Sequence, residues 1–147
     1  MAKLEEAQDL LVKLGFDKKR TNEISGRTLL SLAQLNSNSE WSEAQNPRLG
    51  VRAMMDWMRT ELDYPIAENS RETVRRFVLK QFVEAGFCLH NDDDPTRPTN
   101  SSKNVYRLSD EALRVVRAYK SSKVETEISM YLSRKGTLKE RYAAARE

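Results

Sequence analysis

Residues 69–109 constrain the fold most, because they join a helix, a sharp stop and two strand candidates around a long polar loop. The run NSRETVRRFVLKQFVEAGF has apolar side chains at helical spacing and ends near Gly86, a residue type common just past helix ends. FCLH (87–90) and NVYRLS (104–109) favour strands. The two strands are therefore predicted to pair as a hairpin, and Ser109 is predicted to cap the helix that follows.

The helix predicted from Asn69 to about residue 85 has an apolar face and a basic first half. Asn69 is predicted as its N-cap, with Glu72 bonding back to the cap. The expected core-facing side chains are Val74, Phe77, Val78, Phe82 and Ala85. The basic side chains Arg71, Arg75, Arg76 and Lys80 are expected on the other faces.

The rest of the chain is predicted to be mainly helical. Apolar periodicity favours helices over 4–14, 21–35, 51–62 and 110–119, and from 125 to the end with a break at Gly136. Residues 36–50 are predicted to be a connector, in which Trp41 is expected to fill the core rather than form a binding platform. The element order predicts a mainly α fold with a small β-hairpin: a winged helix-turn-helix with extra N- and C-terminal helices.

Length and composition favour one domain over residues 1–147. We divide it into helical support (1–62), a recognition helix with its wing (63–109) and C-terminal helices (110–147). Cys88 and His90 are the one cysteine and the one histidine, so neither a disulfide framework nor a Cys/His zinc site can form within the chain. No apolar run approaches the roughly 20 residues of a membrane span, and the protein is expected to be cytoplasmic.

Charge is unevenly distributed along the sequence. The net charge is only +3, from 25 basic and 22 acidic residues. Between Arg97 and Lys123, however, basic residues far outnumber Asp110 and Glu111. Such a stripe predicts either a polyanion partner on one face or an ordinary solvated surface.

The run Asp92–Asp94 has two interpretations, a divalent-metal site or a polar turn. Metal-dependent nucleases of the common type combine separated acidic residues with a lysine, and no Glu-x-Lys pattern follows here in a strand setting. Asp94 precedes Pro95, and aspartate favours turns by bonding nearby backbone N–H groups. We predict a turn, with no catalytic residue and no metal ligand in this chain.

Two functions remain open for a winged helix of this composition. The first is binding of double-stranded DNA, because the N-terminal part of a helix can reach base edges in the major groove and arginine can bond guanine through two atoms. The expected DNA contacts are Asn69, Arg71, Thr73, Arg75, Arg76 and Lys80 from the helix, and Arg97, Lys103 and Arg107 from the wing. The alternative is a protein–protein or dimerisation module. Neither function involves a small-molecule substrate or a membrane.

Three long strings, WSEAQNPRLGVRAMMDWM, NSRETVRRFVLKQFVEAGF and NDDDPTRPTNSSKNVYRLS, carry a more specific likeness. In this order and spacing they resemble the N-terminal helix-turn-helix region of the BsuBI/PstI family of type II restriction endonucleases. The resemblance covers nearly the whole chain.

The resemblance implies that this chain is the DNA-recognition part of a prokaryotic restriction enzyme. In the family, such a region precedes a Mg²⁺-dependent catalytic domain of the PD-(D/E)xK type, whose residues would lie beyond position 147. The chain alone is therefore expected not to be an enzyme and to need no cofactor. Because the family cuts palindromic sites, the resemblance also implies a possible homodimer.

Overall fold

The amphipathic segments of the sequence form the helices of a computed structural model that describes residues 2–136. The bounds are Lys3–Lys13 (α1), Glu23–Leu32 (α2), Val51–Thr60 (α3), Lys80–Glu84 (α4), Asp110–Ala118 (α5) and Val124–Lys135 (α6). A π-helical segment, Thr73–Leu79, runs directly into α4, and we call the continuous helical run 71–84 the central helix. Single 3₁₀ turns lie at Lys18–Arg20, Trp41–Glu43 and Glu68–Ser70.

The hairpin forms where the sequence predicts it. Strands Cys88–His90 (β1) and Tyr106–Leu108 (β2) pair antiparallel, with Leu89 opposite Arg107. Leu49 forms an isolated antiparallel bridge to the hairpin by exchanging two backbone hydrogen bonds of 2.8 Å with Tyr106. The sequence placed Leu49 in a connector, so this link between the hairpin and the start of α3 was missed.

Aromatic side chains join the central helix, the hairpin and the terminal helices in one core. Phe82 and Phe87 meet edge to face with ring centroids 5.0 Å apart, and Phe16 after α1 contacts both. Trp41 is 3% exposed and packs against the ring of Tyr119, so its prediction as a core residue is confirmed.

The end of the central helix and the start of α5 also follow the sequence. Gly86 has a φ of +73°, and the N–H of Phe87 donates to the carbonyl of Phe82 at 2.8 Å, which is the hydrogen bond of a Schellman turn. At the start of α5, the Ser109 hydroxyl accepts a hydrogen bond from the Ala112 N–H at 3.2 Å, as a helix cap does.

The start of the central helix differs from the prediction. Asn69 lies inside the 3₁₀ turn Glu68–Ser70 and caps nothing, so its prediction as N-cap was wrong. Glu72 pairs instead with arginines one turn further along the helix. The preceding helix, α3, ends at Thr60, and α2 is shorter than predicted.

Phe77 was predicted to face the core and is instead 67% exposed. The cause is the π-helical winding, in which hydrogen bonds join residues five apart. Val74, Val78 and Leu79 then share the buried face, and Phe77 turns outward. The helix predicted beyond Gly136 lies outside the described residues.

Substitution of Gly26 by alanine tests which of two opposing effects is larger, the gain in helix propensity or the loss from steric overlap with α1. A Cβ atom at this position would lie 2.8 Å from Leu4 Cδ1 and 3.1 Å from Gln8 Cγ, because α1 crosses α2 closely there. Helix propensity alone predicts that Gly26→Ala stabilises the protein by up to about 1 kcal/mol. Overpacking opposes this, and we expect a net loss of about 1–2 kcal/mol in the free energy of unfolding, measured by denaturant titration.

The matched background is Leu4→Ala, which removes the closest side-chain atom. In that background Gly26→Ala should be neutral or stabilising. If Gly26→Ala stabilises the wild-type protein, the side chains of α1 can move away from the added methyl group without loss of stability, and the prediction is wrong.

Candidate nucleic-acid interface

The turn between α3 and the central helix is held by one carboxylate. Glu68 accepts two 3.0 Å hydrogen bonds from the guanidinium of Arg52 and another of 3.2 Å from Arg59. Arg59 also donates to the carbonyl of Ile66 at 2.9 and 3.1 Å. These bonds link α3 to the turn before the central helix, and hydrogen bonding from Arg52 lowers the pKa of Glu68.

A groove of about 540 Å³ lies between the central helix, the start of α3 and the tip of the wing. Arg71 and Arg75 line its helical side, and Ser101 and Asn104 lie among the polar groups on its wing side. The floor includes Gly50 and Tyr106. The groove therefore combines guanidinium groups with hydroxyl and amide groups, the side chains that contact phosphates and base edges.

Glu72 is the acidic residue on this part of the central helix. Arg75 donates to its two oxygens at 3.0 and 2.8 Å, and Arg76 Nε lies 3.1 Å from Oε2. Hydrogen bonding from Arg75 lowers the pKa of Glu72. Both pairs are solvent-accessible, so they orient the guanidinium groups without adding much stability.

A second, smaller groove of about 280 Å³ lies on the other side of Arg75 and is lined by Lys80, Val83 and His90 among others. His90 stacks on Tyr106 with ring centroids 4.7 Å apart. Burial, aided by the charge of Arg97, lowers the pKa of His90. The imidazole is thus part of an aromatic wall.

The wing, residues 91–105, is organised around the buried Asn91. Its backbone has a φ of +49°, which asparagine adopts more readily than most residues. Its side-chain oxygen accepts bonds of 2.9 Å from the Val105 N–H and from Arg97, and its amide donates to Asn104 at 2.8 Å. One side chain therefore connects both ends of the loop.

The three aspartates have three different sets of partners. Asp92 lies between the guanidinium groups of Arg48, at 2.9 and 3.1 Å, and Arg107. Asp93 pairs with Arg97, and the Asp94 carboxylate accepts bonds from Thr96, as a turn residue does. Across residues 2–136, no three His, Cys, Asp or Glu side chains are grouped so that they could hold a metal ion.

The predicted DNA contacts fall into two groups. One group lies exposed or partly exposed on the central helix and the turn before it: Asn69, Arg71, Thr73, Arg75, Arg76 and Lys80. In the wing, Lys103 is exposed, whereas the side chains of Arg97 and Arg107 are only 15% and 20% exposed and are paired with Asp93 and Asp92. The two arginines therefore brace the wing.

The basic stripe between Arg97 and Lys123 does not form one free cationic face. Arg117 Nε donates to the Ala44 carbonyl at 2.8 Å, and Lys120 lies 2.7 Å from Glu6. Two of the basic side chains of this stripe are thus engaged by distant residues, Lys120 by a carboxylate and Arg117 by a backbone carbonyl.

The sequence also failed to indicate the role of Arg48. Its partner Asp92 is 44 positions away, so no local pattern could connect them. Arg52 was missed for the same reason.

The fold and this surface together define a winged helix-turn-helix domain. The model of the family described as "BsuBI/PstI restriction endonuclease HTH domain" matches residues 1–140 of this chain. The type II restriction enzyme BsuBI from Bacillus subtilis is 42% identical over 144 residues, covering 98% of this chain and 46% of that enzyme. The type II restriction enzyme AplI from Arthrospira platensis is 33% identical, covering 97% of this chain and 44% of that enzyme.

A solved structure of the SdaI restriction endonuclease superposes with a TM-score of 0.88 at 38% identity, over 99% of this chain and 46% of that one. The chain therefore belongs to the BsuBI/PstI restriction endonuclease helix-turn-helix domain family. It spans about half the length of the curated relatives it matches. Within the described part, no helix is long and apolar enough to cross a membrane.

The Asp92 cluster predicts a specific response to acid. Hydrogen bonds from Arg48, then from Arg107, lower the pKa of Asp92 from its ordinary 3.8 to about 2. Because the folded state binds this proton more weakly than the unfolded state, the stabilisation is complete above about pH 4 and is lost as the pH falls toward 2. We expect Asp92→Asn to cost on the order of 2 kcal/mol at pH 7.

The free-energy difference between wild type and Asp92→Asn should shrink between about pH 4 and pH 2 in denaturant titrations. Asp94→Asn is the matched control, because it leaves both arginine pairs intact. A difference that stays constant over that pH range would show that Asp92 contributes nothing through its charge.

Proposed function

We propose that this domain binds double-stranded DNA, with the central helix in the major groove and the wing beside it on the backbone. The observation that best supports DNA binding is the outward face of the central helix, where exposed basic side chains border a polar groove. Arg71, Lys80 and, on the wing, Lys103 have no ion-pair partner among the residues that the structure describes. These cations are available to a polyanion.

The helix supplies groups suited to base contacts. A B-DNA major groove about 12 Å wide admits an α-helix, and arginine can bond the O6 and N7 atoms of guanine together. Arg75 and Arg76 are oriented by Glu72 rather than free. DNA would compete with that carboxylate, which favours contacts that satisfy both guanidinium groups in a defined geometry.

The wing supplies groups suited to phosphate contacts. Its tip presents hydroxyl and amide groups next to Lys103, and the Asn91 hydrogen bonds fix its shape. Phosphate contacts set the register of a protein on the duplex without reading sequence. The braced Arg97 and Arg107 would act mainly by holding this tip in place.

For the whole protein we propose a type II site-specific deoxyribonuclease that uses Mg²⁺ and acts as a homodimer. The names of the relatives, which are type II restriction enzymes, support the nuclease part of this proposal, and Mg²⁺ and the homodimer follow from the family resemblance alone. Residues 2–136 hold no group of three His, Cys, Asp or Glu side chains that could bind a metal ion, and we propose that the residues for cleavage lie elsewhere in the enzyme.

Salt dependence tests the proposed binding. Affinity for duplex DNA should fall linearly on a log–log plot against salt, with a slope of about −0.9 per phosphate contact. Lys103→Ala should weaken binding on all sequences and reduce the slope by about 1. Fluorescence anisotropy at several salt concentrations would measure both. Absent or salt-independent binding would reject the proposal in favour of a protein–protein module.

Sequence preference tests the role of Arg76. Arg76→Ala should reduce affinity for the preferred duplex by about 1–3 kcal/mol, and less for other sequences, if the guanidinium bonds a base. The matched variant is Arg76→Lys, which keeps the charge and loses the two-atom geometry. A phosphate contact should be largely kept in Arg76→Lys, whereas a base contact made through two guanidinium nitrogens should lose much of its sequence preference.

A further inference from the structure

Phe77 is an apolar side chain on a polar, basic surface. Its ring is 67% exposed, in the middle of the central helix. Thr73 lies four residues before it and Lys80 three residues after it on the same helical run, and both are exposed. Arg76, directly before it, is exposed as well. Within residues 2–136, the other strongly exposed large hydrophobic side chains, Val12 and Met130, are on α1 and α6.

This setting favours a nucleic-acid contact over a protein contact. Protein-binding sites usually bury an aromatic anchor in an interface core that is depleted of charged residues, and their polar residues lie at the rim. Phe77 has a lysine and an arginine beside it instead. The π-helical winding that exposes the ring keeps Val74, Val78 and Leu79 in the core, so exposure costs the helix none of its own packing.

We propose, on the basis of the proposed DNA binding, that Phe77 contacts the 5-methyl group of a pyrimidine in the major groove. This methyl group is the apolar feature that a base pair presents there, and phenylalanine is suited to contact it. Lys80 and Arg76 hold the surrounding phosphates or base edges while the ring covers the methyl group. Thymine and 5-methylcytosine carry the methyl group at the same ring position, and either could supply it.

The test uses the duplex that the chain selects from a randomised pool. Each thymine is replaced in turn by uracil, which pairs identically and lacks the methyl group, and each cytosine by 5-methylcytosine. Burying one methyl group is worth about fourfold in affinity. The affinity of the wild-type chain should fall about fourfold when one particular thymine is replaced by uracil, or rise about fourfold when one particular cytosine is methylated. Whichever replacement changes the affinity identifies the base that Phe77 contacts.

Phe77→Ala should bind with equal affinity whether or not that methyl group is present, and Phe77→Leu should retain part of the discrimination. Because the ring is exposed, both variants should melt at the wild-type temperature, which confirms that they fold. If Phe77→Ala keeps the wild-type response to the methyl group, or if no position responds, the inference is overturned. Wild type that binds no duplex would overturn the proposed function as well, so the two failures are distinguishable.

Discussion

The turn at Gly86 sets the geometry on which the interface depends. The left-handed backbone there lets Phe87 bond back to Phe82, so β1 starts directly at the end of the central helix. The two phenylalanine rings pack edge to face beneath the turn. The wing and the helix are thereby held at a fixed angle by one backbone conformation and one aromatic contact, and both grooves of the interface open between them.

Arginine–carboxylate pairs divide the charges of this surface into two kinds. The pairs of Arg48 and Arg107 with Asp92 lie within the wing and its support, where they maintain shape. The pairs of Arg75 and Arg76 with Glu72 lie on the exposed helix, where they orient the two guanidinium groups at the surface. Local sequence composition cannot separate these roles, because the same residue types serve both.

Local patterns in the sequence predicted the helices, the hairpin and the cap at Ser109, because each depends on residues a few positions apart. Two kinds of feature could not be predicted from local patterns. The exposure of Phe77 depends on π-helical winding, and a pattern analysis that assumes α-helical spacing assigns the residue to the core. The backbone bridge at Leu49 and the Arg48–Asp92 pair depend on contacts between distant segments. The individual DNA contacts stay predictions, since the structure establishes only how exposed each of those side chains is and which partners it has.

The backbone pairing of Leu49 with Tyr106 also has a consequence for the order of folding. Contacts between α1 and α2 join neighbouring segments and can form early, whereas this pairing must close a long loop whose entropy opposes it. The central helix lies within that loop. We therefore expect α1 and α2 to pair early and the Leu49–Tyr106 bridge to close later, so that the proposed DNA-binding surface is completed late in folding.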